Sequence, residues 1–133
     1  MDNQLTRLTF PKVIDSRAHA VLDYATAGTF LAMGFALRDR HPRASRLAFL
    51  NSAAVLLLSM FTDYPGGIWR RLSFGTHGAI DAVQASMSAL GPAMLGFRED
   101  PEAKLFYAQA GVEAGVIATT DWRADESAWR PAL

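Results

Sequence analysis

The chain has 133 residues, of which 50% are hydrophobic, with 13 basic against 13 acidic side chains and no cysteine. That length is one domain's worth, and the even charge without a basic, aromatic-rich patch excludes nucleic acid as a partner. The missing cysteines exclude a disulfide framework, a thiolate metal site and a cysteine nucleophile.

The first seventeen residues are polar and contain Pro11, with no apolar core before a small-residue cleavage site, so they do not read as a cleavable signal peptide. Asp15 or Ser16 is placed to cap a first helix through Ala18 to Leu37. The charged connection RDRHPR at 38–43 follows, with Pro42 where a first-turn proline belongs, and a second helix runs to Thr62. Pro65, Gly66 and Gly67 break the pattern. Ser73 then caps a third helix running to Phe97, REDPEA at 98–103 supplies Pro101, and a fourth helix runs to Thr120. Strand-like alternation is absent from the sequence.

Each predicted helix has about 20 to 24 residues, roughly 30 Å at 1.5 Å per residue, which matches the hydrocarbon thickness of a bilayer. Segments such as AAVLLLSMF at 53–61 and AVQASMSALGPAMLGF at 82–97 are apolar on all faces rather than striped. The expectation is an all-α, multi-pass membrane protein in the inner (cytoplasmic) membrane if bacterial. Basic residues crowd the short connections at Arg38, Arg40, Arg43, Arg46, Arg98 and Lys104. Those at Arg7, Lys12, Arg17, Arg70, Arg71, Arg123 and Arg130 are spread over longer stretches, a balance that places both termini outside. Trp69, Trp122, Trp129 and Tyr64 fall on the termini side, at headgroup level.

Adding 58 to a residue number carries His19 onto His77, Asp23 onto Asp81, Thr62 onto Thr120 and Asp63 onto Asp121. The same offset pairs Asn51 with Gln109, Arg40 with Arg98, Arg46 with Lys104 and Lys12 with Arg70. Two hairpin repeats, at about 12–64 and 70–122, are each too small to bury a core alone. They are expected to pack as one domain over 1–133, a four-helix transmembrane bundle of tandem helical hairpins.

LGPAMLGF at 90–97, a short loop and AKLFYAQAGVEAGVIATT at 103–120 together resemble the bacterial SPW-repeat membrane proteins. Gly91, Pro92 and Ala93 occupy the Ser-Pro-Trp positions, so the proline alone matches, and the first half has Met33, Gly34 and Phe35 there. The resemblance implies a four-helix integral membrane protein of undefined activity and carries over no catalytic residue.

Histidine and aspartate four residues apart share one helix face, so His19 with Asp23 and His77 with Asp81 form two one-turn ladders at helix starts. Thr62, Asp63, Thr120 and Asp121 end the second and fourth helices, which brings all eight residues to one end of an up-down-up-down bundle. Two imidazoles and several carboxylates at that level suit a divalent metal such as zinc, iron or manganese. A haem would need a broad flat slot that nothing marks. Spacing alone favours a third reading, a hydrogen-bonded network that closes the end of the bundle.

Glu113 pairs with Val55 across the repeat, so duplication does not account for it. A mid-helix carboxyl can carry a proton or bind a cationic solute, or it can bond to Gln84 or Asn51. Gly111 and Gly115 form GxxxG beside Ala110 and Ala114, a face for close packing within the bundle. His41 has no partner at helical spacing and reads as solvated. Ser52, Ser59, Ser86 and Ser88 lack a matching histidine and acid, and there is no phosphate loop, so the residues give an enzyme little support. The expected role is a binding or accessory component, with lipid and other membrane subunits as partners. The alternatives are a metal-binding protein using the His/Asp layer and a small carrier using Glu113.

Overall fold

The structure, a computed structural model, describes residues 10–123. Arg7, Trp129 and Arg130 lie outside the described residues. Four helices account for the architecture: α1 (Ser16–Leu37), α2 (Pro42–Phe61), α3 (Phe74–Met94) and α4 (Ala103–Thr119). Among the described residues there is no strand.

Local chemistry sets the helix ends. The Asp15 carboxylate accepts from the Ala18 backbone N–H at 2.8 Å, and the Ser73 hydroxyl accepts from that of Thr76 at 3.1 Å. Pro42 opens α2, where its missing N–H costs nothing. Helix α3 stops at Met94, short of the Phe97 expected from sequence. Gly96 adopts φ +72°, the Gly96 N–H bonds to the Ala93 carbonyl and the Phe97 N–H to that of Pro92. That pair of bonds is a Schellman ending, which turns the chain and leaves Phe97 buried. Pro101 precedes α4 instead of lying in its first turn.

Helix α1 packs on α2, α2 on α3 and α3 on α4, while α1 and α4 lie farther apart and meet through side chains such as Phe30 and Phe106. From the loop-rich end inward, Ala20, Tyr64 and Phe74 with Trp122 form an aromatic cap. Next come the buried residues His19, Asp23, His77 and Asp81, then Asn51, Gln84, Ser88 and Glu113. An apolar plug at the far end contains Phe30, Leu37, Leu47, Phe97 and Phe106.

Polar side chains share the interior of this bundle, and large apolar ones face outward. Its interior holds as many polar as apolar side chains, while Val83 is 63% exposed, Leu90 59% and Leu50 57%. Ser52 and Ser45 on α2 donate across to the α1 carbonyls of Ala27 (2.8 Å) and Gly34 (2.7 Å), so polar bonds join the two helices. A Cβ on Gly34 would lie 2.6 Å from the Phe49 ring, so glycine permits this approach. The GxxxG pair behaves otherwise than expected: Gly111 and Gly115 are exposed, with open space where a Cβ would stand.

Two helices, α1 and α2, are long and apolar enough to cross a membrane. Helix α4 has 17 residues, and the 21 residues of α3 include His77, Asp81 and Gln84.

A candidate metal centre at one end of the bundle

The first turns of α1 and α3 bring His19 and His77 to the bundle axis, and one turn further on Asp23 and Asp81 reach the same point. Both histidines are fully buried and both aspartates are 7% exposed. The two Nε2 atoms are 3.3 Å apart. Asp81 Oδ2 lies 3.0 Å from His19 Nε2 and 3.1 Å from His77 Nε2. Asp23 places Oδ1 3.3 Å from His19 Nε2 and Oδ2 3.2 Å from His77 Nε2. The shortest ion-pair distance thus crosses between the two one-turn ladders. One ligand atom from each of the four residues falls within 4.8 Å of all the others.

Hydrogen bonding behind the rings fixes their tautomer. Thr62 Oγ1 lies 2.7 Å from the Leu58 carbonyl and 2.7 Å from His77 Nδ1. Thr120 Oγ1 lies 2.7 Å from the Val116 carbonyl and 2.9 Å from His19 Nδ1. A carbonyl oxygen only accepts, so each threonine spends its single hydrogen there and must accept from the imidazole. Both Nδ1 atoms therefore carry a proton, and in the neutral ring both Nε2 atoms present lone pairs. Those lone pairs, or the Nε2–H of a ring that takes up a second proton, face each other and the two carboxylates.

This donor set could hold a small divalent cation. Tetrahedral ligands at about 2.0–2.2 Å from an ion lie roughly 3.3–3.6 Å from one another, against 3.0–3.3 Å for the histidine–histidine and histidine–aspartate pairs here. Two imidazole nitrogens with two carboxylates suit zinc, iron or manganese, and an imidazole that ligates through one nitrogen commonly donates through the other.

Tyr64, which the sequence places at a headgroup surface, is fully buried, and its hydroxyl donates to Asp23 Oδ2 at 2.8 Å. Burial, followed by the Asp23 charge, raises the phenol well above its ordinary value and keeps it a donor. At the matching place 58 residues on, Trp122 sets its ring 4.8 Å from that of His19 and donates its indole N–H to the Ile117 carbonyl. Phe74 closes the same side, 5.4 Å from His19. Thr62 and Thr120 lie in the same layer, each hydrogen-bonded to a histidine. The N–H groups of Asp63 and Asp121 bond to the Leu72 and Ile14 carbonyls, and the Asp121 side chain accepts from the Arg123 N–H.

On the inner side of the layer, Asp23 and Asp81 line a small cavity together with Thr26, Val55, Gln84 and Glu113. Glu113 is 7% exposed and meets the Ser88 hydroxyl at 3.3 Å, while Gln84 donates to Asn51 at 2.8 Å. His41 lies at the opposite end and is not simply solvated. Its Nδ1 caps α2 by accepting from Ala44, and its Nε2 lies 2.9 Å from Asp100 across the other hairpin. No protein-family model, curated protein or solved structure matches this chain.

Proposed function

We propose that the protein is an integral membrane four-helix bundle of two tandem hairpins whose His19, Asp23, His77 and Asp81 hold one divalent metal ion. The observation that carries this reading is the pair of buried imidazoles with Nδ1–H groups committed to threonines and Nε2 atoms aimed, 3.3 Å apart, among carboxylates. Such a cluster in an apolar interior is costly unless a cation, or protons shared between imidazoles and carboxylates, balance it. Spacing alone favours a purely structural network; the tautomers move the balance to metal.

Matched contacts support the duplicated hairpin. The Ile14–Thr120 and Thr62–Leu72 bridges, like the two histidine–threonine bonds, are related by 58 residues. A site on the axis between equal halves receives the same ligands from each. Support for bilayer residence is the outward-facing apolar surface, with the polar residues of α3 turned inward. The protein then serves as a metal-binding component of a membrane, alone or beside other subunits.

Elemental analysis of detergent-extracted protein is expected to find one divalent ion per chain, and His19→Ala/His77→Ala to lack it. Protein recovered without metal that also shows no calorimetric binding of added zinc, manganese, iron(II) or cobalt would overturn the reading. Recovery as a monodisperse species without detergent would overturn the bilayer part.

A further inference from the structure

The cavity behind the two aspartates has a chemistry of its own. It leaves about 20 Å³ open to the centre of a water molecule, room for one, since a single water needs roughly 10–15 Å³. Its floor is the pair of proposed ligand carboxylates, its far side is Glu113, and Thr26 and Gln84 supply further polar groups. Leu22, Val116 and Ile117 complete the wall between α1 and α4, whereas the aromatic cap closes the opposite side of the layer.

We propose that this cavity is an exogenous-ligand position of the metal centre, taking a water or a similarly small uncharged molecule, with Glu113 holding it from the far side. The proposal rests on the metal reading and adds a position for a fifth ligand, beside the four side chains, on the cavity side. Charge selects the class of ligand. Two aspartates already neutralise a divalent ion, so an anion entering here would meet the Glu113 carboxyl with nothing left to balance it.

The bonding around Glu113 serves either protonation form and leaves the carboxyl an acceptor toward a ligand. Ser88 has one hydrogen but lies 3.2 Å from Asn51 Oδ1 and 3.3 Å from both Glu113 oxygens. Turned toward Glu113, it satisfies a carboxylate. Turned toward Asn51, it leaves its oxygen to accept from a carboxylic acid. Rotation of a single hydroxyl therefore accommodates both forms without stranding a buried group. Position 113 is also where the two halves differ, since Val55 is its counterpart and lines the same cavity.

The test is pulsed electron paramagnetic resonance of detergent-purified, manganese(II)-loaded protein in water enriched in oxygen-17. The wild type is expected to show an exchangeable oxygen-17 coupling from one water at the metal. Val55→Phe, which fills the cavity, and Glu113→Leu, which removes its far polar wall, are expected to keep manganese affinity within a few-fold and lose that coupling. Manganese bound in the wild type without an oxygen-17 coupling would overturn the proposal, as would wild-type coupling in both variants. Failure of the wild type to take up manganese would instead strike the metal reading on which the proposal depends.

Discussion

Asp81→Ala is expected to abolish the stabilisation that metal confers on the folded protein. Asp81 Oδ2 is the atom that approaches both imidazoles, at 3.0 and 3.1 Å, so its loss removes the ligand shared most closely by the two halves. A ligand that binds only the folded state, present at a hundred times its Kd, stabilises by about 2.7 kcal/mol. Thermal unfolding in detergent should show that gain in the wild type, its disappearance in chelator, and no response to metal in the variant. A network held by protons alone gives another pattern. There the variant would be less stable by roughly 1–3 kcal/mol with and without chelator, and the wild type would ignore the chelator.

Thr62→Val tests the tautomer argument on which the site rests. Valine keeps the shape of threonine but cannot accept from His77 Nδ1, so the ring loses the bond that orients it and holds its Nε2 lone pair inward. Loss of such a supporting contact typically weakens metal binding 10–100-fold, and calorimetry on Thr62→Val should find a drop in that range. Thr120→Val should do the same through His19. Unchanged affinity accompanied only by lower stability would mean that the threonines support the fold and not the ligands.

Much of this arrangement was legible in the sequence because it depends on spacing. Four-residue separation puts His19 over Asp23 and His77 over Asp81, and the offset of 58 brings Thr62 and Thr120 to the same level. Capping residues and prolines likewise mark helix ends from local chemistry, although the Schellman turn at Gly96 ends α3 early. What spacing could not carry was direction. Tyr64 and Trp69 are both amphipathic aromatics in one connection, but Tyr64 turns inward to Asp23 while Trp69 stays half exposed against Phe61. His41 finds Asp100 only because the two hairpins bring their short loops together, a contact between residues 59 apart. A signal for Tyr64 was present all the same: the offset pairs it with Trp122, and both rings pack on the histidines.

The tautomers were beyond reach of the sequence for a different reason. A threonine near a histidine says nothing of which atom donates; that follows only once the Leu58 and Val116 carbonyls are seen 2.7 Å from the hydroxyls. The same two distances convert a common HxxxD pattern into a specific claim about lone pairs.

X-ray absorption of the zinc-loaded protein in detergent tests that claim most directly. The account predicts a first shell of nitrogen and oxygen at about 2.0–2.2 Å with outer-shell scattering from two imidazole rings, one from each half of the chain. A shell with one imidazole or none, or a bound zinc surrounded by solvent oxygens, would contradict it.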